Sequence, residues 1–352
     1  MADIWAAVRP PLTAVVLAAA GGFAGNLLGV PAGWLLGGSV AVATACLLGV
    51  RATLPGWLRD TAFVLTGLSM GASVDRDSLT LMMQWPVTLA ALVIELICIV
   101  GLTGYMLRRS FGLDSGTAYL SSFPGHLSFV MGIAAAGVGN PRQITIIQVI
   151  RIMMLTICVP IGALFLPVGE GAPAAGAEWI ALPALLAVTA CCAATGFLFT
   201  RLRVPAGYAL GAMAAAMTAR FAGVFDGAMP EPVLILAFVL IGALIGSRFA
   251  GISLEEFRKA AVGGLVATLM TVGIVTVIAI GASQLVEMPF GQIWLGLAPG
   301  ALEGMGVLGI ALGFDTAFIA AHHVFRLLLL TIAIPLVALW LRRNGKLPPP
   351  SP

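Results

Sequence analysis

The sequence predicts an all-α polytopic membrane protein built from two inverted repeats, each with five transmembrane helices and one re-entrant helical hairpin. Three observations carry that prediction: a duplication at a fixed offset, a composition unsuited to water, and a Pro-Gly break at the same point of each copy.

The duplication is visible by eye. SSFPGHLSFVMGIAAAGVGNPRQITIIQVIRIMMLTICVP recurs 175 residues later, without a gap, as GLAPGALEGMGVLGIALGFDTAFIAAHHVFRLLLLTIAIP. In both copies an arginine follows the proline by 27 positions, Arg151 after Pro124 and Arg326 after Pro299. The same offset pairs Val64 with Val239, Gly67 with Gly242, Gly71 with Gly246 and Pro160 with Pro335. Upstream, V-P-A-G at 30–33 returns at 204–207, so one residue of slack in a loop aligns the halves. The organisation is repeat 1 over 1–170, an extracytoplasmic linker over 171–180, repeat 2 over 181–343, and a proline-rich tail over 344–352 that is expected to be disordered.

Hydrophobic residues make up 60% of the 352 and charged residues only 9%, with a mean hydropathy of +1.06. Soluble domains carry roughly 25% charge, so the solvent here is a lipid bilayer. The net charge of +3 does not point to nucleic acid, because in such a chain the side to which Lys and Arg fall is what matters. Five cysteines, Cys46, Cys98, Cys158, Cys191 and Cys192, lie in apolar segments without metal spacing and read as packing residues. Residues 12–28 resemble a signal peptide, but they align with 186–202 in mid-chain, so the first span is expected to be retained.

Apolar runs long enough to span fall at 12–28, 32–50, 58–74, 86–107 and 143–166, then at 182–200, 206–224, 232–249, 260–282 and 316–341. Two further apolar stretches, 111–139 and 289–313, hold Pro-Gly near their middles. If they cross, both repeats face the same way; if they dip in and return, the second repeat is upside down. With dipping hairpins, 14 of the 18 basic residues are cytoplasmic, Arg76 and Arg220 lie outside, and Arg151 and Arg326 lie within the membrane. The positive-inside rule favours that arrangement, with both termini cytoplasmic. An arm of about 13 residues reaches roughly 18–20 Å at 1.5 Å per residue, so tips entering from opposite faces meet near the midplane. Broken helices at matching places of two repeats mark transporter sites, because their unpaired peptide groups must line a cavity or bind something. Two proline-kinked spanning helices are the competing reading.

The candidate substrate-binding residues are Ser122, Pro124, Gly125, His126 and Ser128 at the first tip, Pro299, Gly300, Ala301 and Glu303 at the second, and Arg151 and Arg326. An unpaired guanidinium at that depth costs on the order of 2.5–3.5 kcal/mol, so each arginine has a partner. It either caps hairpin carbonyls or pairs with Glu303, Glu95 or Asp315, or it attracts an anionic substrate through its planar fork. Helix amide ends at Gly125 and Gly300 add positive potential. For ion or proton coupling the candidates are Glu303, then His126, with Glu95 and Asp315 behind them. No catalytic or metal residue and no cofactor is expected: His322 and His323 are adjacent and point about 100° apart on a helix. Gly67, Gly71, Gly242 and Gly246 form G-x-x-x-G pairs, read as close helix packing or as a sliding surface.

PGHLSFVMGIAAAG followed by Q-x-x-R, PGALEGMGVLGIALGFD followed by AHHVFR, and V-P-A-G-[WY] at the head of each half together resemble the AbrB-type integral membrane family over nearly the whole chain. That family is duplicated and bacterial, and carries the labels ammonia monooxygenase and regulator. Its pattern favours Pro-Gly-Gly, then an acidic residue and Met, in both copies; here His126 and Ala301 stand at the position after Pro-Gly. The DNA-binding fold that shares the AbrB name is not resembled, since no soluble basic domain exists.

The expected function is a secondary transporter of a small organic anion, a carboxylate or an acidic amino acid, coupled to protons or sodium in the bacterial inner membrane and working by alternating access, in elevator style. Such machines commonly dimerise, so a homodimer is expected. A membrane-embedded ligand sensor that moves nothing is the alternative. A monooxygenase is the least favoured, for want of a redox ligand set.

Overall fold

The structure is a computed structural model describing residues 2–30, 32–74, 82–125, 127–163 and 178–343, without the side chains of 2–8, 127–128, 153, 156–157, 159–161, 163, 259–260, 303 and 342–343. His126, most of the linker and the tail 344–352 lie outside the described residues. Within them the fold is all-helical, with only an isolated bridge between Trp179 and Ala228.

Each predicted apolar segment falls on a helix. The first repeat gives α1 (Ala2–Leu27), α2 (Gly33–Leu47), α3 (Gly56–Ala72), then α4 (Trp85–Cys98), which continues through a π turn (Ile99–Thr103) into α5 (Gly104–Phe111). Two short helices follow, α6 (Ser115–Ser122) and α7 (Leu127–Ala135), and then α8 (Pro141–Ala163). The second repeat gives α9 (Leu182–Arg201), α10 (Gly207–Phe221), α11 (Glu231–Ser247), α12 (Leu254–Ser283), the short α13 (Phe290–Leu297) and α14 (Leu302–Leu312), and α15 (Thr316–Arg343). Both Pro-Gly stretches are therefore helix–break–helix. Among the described residues five helical rods are long and apolar enough to cross a membrane: Arg9–Leu27, Met82–Phe111, Leu182–Arg201, Ala261–Ser283 and Thr316–Leu341.

The chain divides into two compact units that cut across the repeats. Unit 1 comprises 1–83, 160–253 and 302–320; unit 2 comprises 84–159, 254–301 and 321–352. In unit 1, α1 and α2 form an antiparallel pair and α9 and α10 form its equivalent, with the V-P-A-G signature at the turn between the two helices of each. Ala32 and Ala206 adopt the left-handed backbone at φ 49° and φ 51°. Gly33 and Gly207 follow them because any side chain there would meet the backbone of Asn26 or Thr200. The repeats then exchange partners. A methyl on Gly67 or Gly71 of α3 would collide with the carbonyl oxygens of Ala209 and Met213 on α10. The equivalents, Gly242 and Gly246 of α11, face the carbonyls of Leu35 and Ser39 on α2. Steps of four residues run in the same sense on both sides of each seam, so α3 is parallel to α10 and α11 is parallel to α2. Small residues permit that backbone approach. Around the first seam Leu68, Ala72, Cys192, Ala212 and Phe225 form a buried cluster. On the other side of α3, Gly306 of α14 admits Met70.

In unit 2 the first hairpin packs against α4, α8 and the C-terminal part of α15, where Leu120, Phe123, Val130, Ile144, Leu330 and Ile334 share one apolar cluster. Its two ends meet. Asp114 caps α6 by accepting from the Thr117 amide at 2.9 Å, and the Asn140 amide donates to Thr117 Oγ1 at 2.7 Å. Gly139, at φ 81°, leaves no room for a β-carbon beside Gly116 and Thr117. The two ends of the segment 115–139 are therefore in contact.

Candidate functional site

Both breaks begin the same way, because a residue that precedes proline is pushed out of the helical region. Phe123 (φ −62°, ψ 125°) and Ala298 (φ −54°, ψ 126°) are extended, and the helices resume at Leu127 and Leu302. Gly125 at φ 120° turns the first tip. Ending a helix in an apolar interior orphans its last carbonyls, which need donors from elsewhere.

Buried side chains of the following helix supply them. On α8, Gln148 Nε2 donates to the Leu120 carbonyl at 3.1 Å, and one turn on Arg151 donates from Nη1 to Ser121 at 2.9 Å and from Nη2 to Phe123 at 2.6 Å. On α15, Arg326 donates from Nη1 to Ala298 at 2.8 Å and from Nη2 to Gly300 at 2.9 Å. Each arginine is 2% exposed. Phe123 and Ala298 are equivalent positions; the second contact is not, since Arg151 reaches back along α6 while Arg326 reaches over Pro299 to the tip itself. Nε of both guanidiniums has no hydrogen-bond partner among the described residues. The two tips also approach one turn of α15: Gly125 lies beside Leu327 and Leu330, next to the arginine that holds Ala298 and Gly300.

The remaining predicted residues divide clearly. Ser122 Oγ is spent on the Tyr119 carbonyl at 2.7 Å and on Val100 at 3.3 Å, the latter inside the π turn. Pro124 and Pro299 are buried at the breaks, and Gly300 and Ala301 are half-buried. His126 and the side chains of Ser128 and Glu303 lie outside the described residues. Asp315 caps α15, its Oδ1 accepting from the Ala317 and Phe318 amides at 2.8 and 3.3 Å. Asn140, its equivalent, caps α8 through the Arg142 and Gln143 amides in the same pattern. Glu95 on α4 is fully buried, neither carboxylate oxygen has a hydrogen-bond partner among the described residues, and it interacts electrostatically with Arg326. Of the adjacent histidines, His322 takes Thr88 Oγ1 at 2.8 Å and meets the edge of Trp85.

Two features were not anticipated. Gln148 stands one turn before Arg151 and shares its work, a spacing present in the sequence as Q-x-x-R. The π turn that receives Ser122 has no signal beyond Gly101 in an apolar run.

The fold and site thus define a duplicated, all-helical protein with membrane-length helices and two arginine-held broken helices. Residues 2–83 and 34–342 match the family model described as Transition state regulatory protein AbrB, and the chain belongs to that family. It is 24% identical to the uncharacterized protein YhjN of Bacillus subtilis (strain 168), over 91% of this chain and 90% of that protein. It is also 24% identical to a protein provisionally named regulator AbrB of Escherichia coli (strain K12), over 88% of this chain and 90% of that one.

Proposed function

We propose that the chain is an inner-membrane secondary transporter for a small organic anion, a carboxylate or an acidic amino acid, working by alternating access with proton or sodium coupling. The observation that carries this reading is the pair of Pro-Gly tips at one turn of α15, each held by a buried arginine whose Nε–H has no partner among the described residues. A guanidinium with a spare donor among its described contacts, at a break after which a helix begins at Leu127, suits a carboxylate. Helix directions support inverted repeats of five spans. Consecutive spans oppose, so α3 opposes α2; α3 is parallel to α10, and α10 therefore opposes its own equivalent, α2. The meeting of Asp114, Thr117 and Asn140 supports a re-entrant first hairpin, and a homodimer suits such a carrier.

The test is counterflow of radiolabelled dicarboxylates and acidic amino acids into liposomes holding the purified protein, run at acid and neutral pH. Protein-dependent uptake that Arg326→Ala abolishes is expected. The regulator name carried by one relative favours a second reading, a sensor that binds without moving its ligand. Thermal stabilisation by a carboxylate with no counterflow would select it.

A further inference from the structure

Glu95 has no counterpart in the other repeat, where Met270 stands, and no role in the clamp contacts. It is sealed from water, and a carboxylate in that position either carries a proton or faces a cation. The cation is at hand. Thr88···His322 at 2.8 Å fixes α4 beside α15; Arg326 lies one turn past His322, Glu95 lies two turns past Thr88, and the two charges interact without a direct ion pair. Yet the described hydrogen bonds of Arg326 go to Ala298 and Gly300, not to Glu95.

We propose that Glu95 is the proton-binding group of this carrier, and that its charge sets how firmly Arg326 holds the second tip; this rests on the transport reading above. With a proton on Glu95, the guanidinium keeps the two carbonyl contacts described for it. When the proton leaves, the carboxylate competes for Arg326, the hold on Gly300 weakens, and the tip is released. Proton and anion are then linked through one side chain, because an anion at the Nε–H and a charged Glu95 draw on the same guanidinium. Other titratable groups near Glu95 are few. On α15 they are His322 and His323, on α6 Tyr119, on α4 itself Cys98, and on α8 Arg151, which interacts electrostatically with Arg326. The π turn and α13 carry none, and the charges of α12 (Glu255, Glu256, Arg258 and Lys259) all lie in its first two turns.

The experiment uses the full chain with its five cysteines replaced and Ala301→Cys added, reacted with a water-soluble maleimide across a pH series, every rate being divided by that of a free cysteine peptide at the same pH so that the ordinary rise in thiolate cancels. Labelling should quicken roughly tenfold as pH rises, the change expected when one charged hydrogen bond is lost. Glu95→Gln should hold the slow rate at every pH, and Glu95→Asp should restore a pH response. A flat profile in the parent, or a response that survives in Glu95→Gln and so belongs to His322 or His323, would overturn the proposal. If Glu95→Gln does not fold, the shift of the midpoint in Glu95→Asp decides instead, an unmoved midpoint counting against Glu95. The reading needs no substrate, so a failed flux assay with a Glu95-dependent tip would count against transport and not against the switch.

Discussion

Arg151→Ala is the sharpest perturbation the structure offers. The guanidinium makes two charged hydrogen bonds to buried carbonyls, at 2.9 and 2.6 Å, where water cannot replace it. At about 1.5–3 kcal/mol each, their removal weakens the attachment of the first tip by about 3–6 kcal/mol, or two to four decades in its opening equilibrium. Gln148 still holds Leu120 but cannot reach Phe123, so the loss concentrates at the break. Arg151→Lys keeps the charge and one bond, and should recover roughly half of the free energy. The assay is hydrogen exchange of the backbone amides over 115–135 in detergent, read by mass spectrometry. Exchange should accelerate by at least about a hundredfold in the alanine variant while α1 and α2 are unchanged. Unaltered protection over 115–135 in a folded Arg151→Ala protein would mean that the carbonyls do not depend on the arginine, and the clamp argument would fail.

Further expectations follow from single contacts. Gly67→Ala should destabilise by about 1–3 kcal/mol of overpacking, set against about 1 kcal/mol of gained helix propensity, whereas Gly242→Ala, whose β-carbon would sit 2.9 Å from the Leu35 carbonyl oxygen, should be milder; thermal unfolding in detergent ranks the two. Asp315→Asn should leave stability and transport pH dependence unchanged, because Asn140 caps the equivalent helix, while Asp315→Ala should cost about 1 kcal/mol; a lost pH response in Asp315→Asn would assign it to coupling. Cysteines at Ser115 and Gly139 should react with an impermeant reagent from the same membrane face, and opposite faces would make the first Pro-Gly element a full crossing.

The sequence made the helices legible because apolar length and the 175-residue offset are local or periodic signals. Positions 67 and 242 could be matched by eye, but not their partners on α10 and α2, since no pattern in a glycine states which backbone will approach it. The arginines were found through the cost of burying charge, and both readings of them had a physical basis. What decided their described contacts was the position of orphaned carbonyls, which depends on where α6 and α13 end in space. Asp315 illustrates the opposite case: an acidic residue two and three positions before the Ala317 and Phe318 amides carries a cap signature that is local in the sequence. Ser122 was readable as a tip hydroxyl, yet its partner is a carbonyl in a π turn that propensity does not foresee.

The crossed glycine seams also bear on how the molecule is made. Each joins segments about 140 or about 200 residues apart, so a ribosome that has finished the first half has produced α2 and α3 with their mates still unmade, and such distant closure is slow. Assembly of this part must wait for the second copy to be synthesised. The same geometry would let two separately expressed halves complement each other. It also means that a lone ancestral copy could close its grooves only against a sister chain, in a dimer that later gene fusion made permanent.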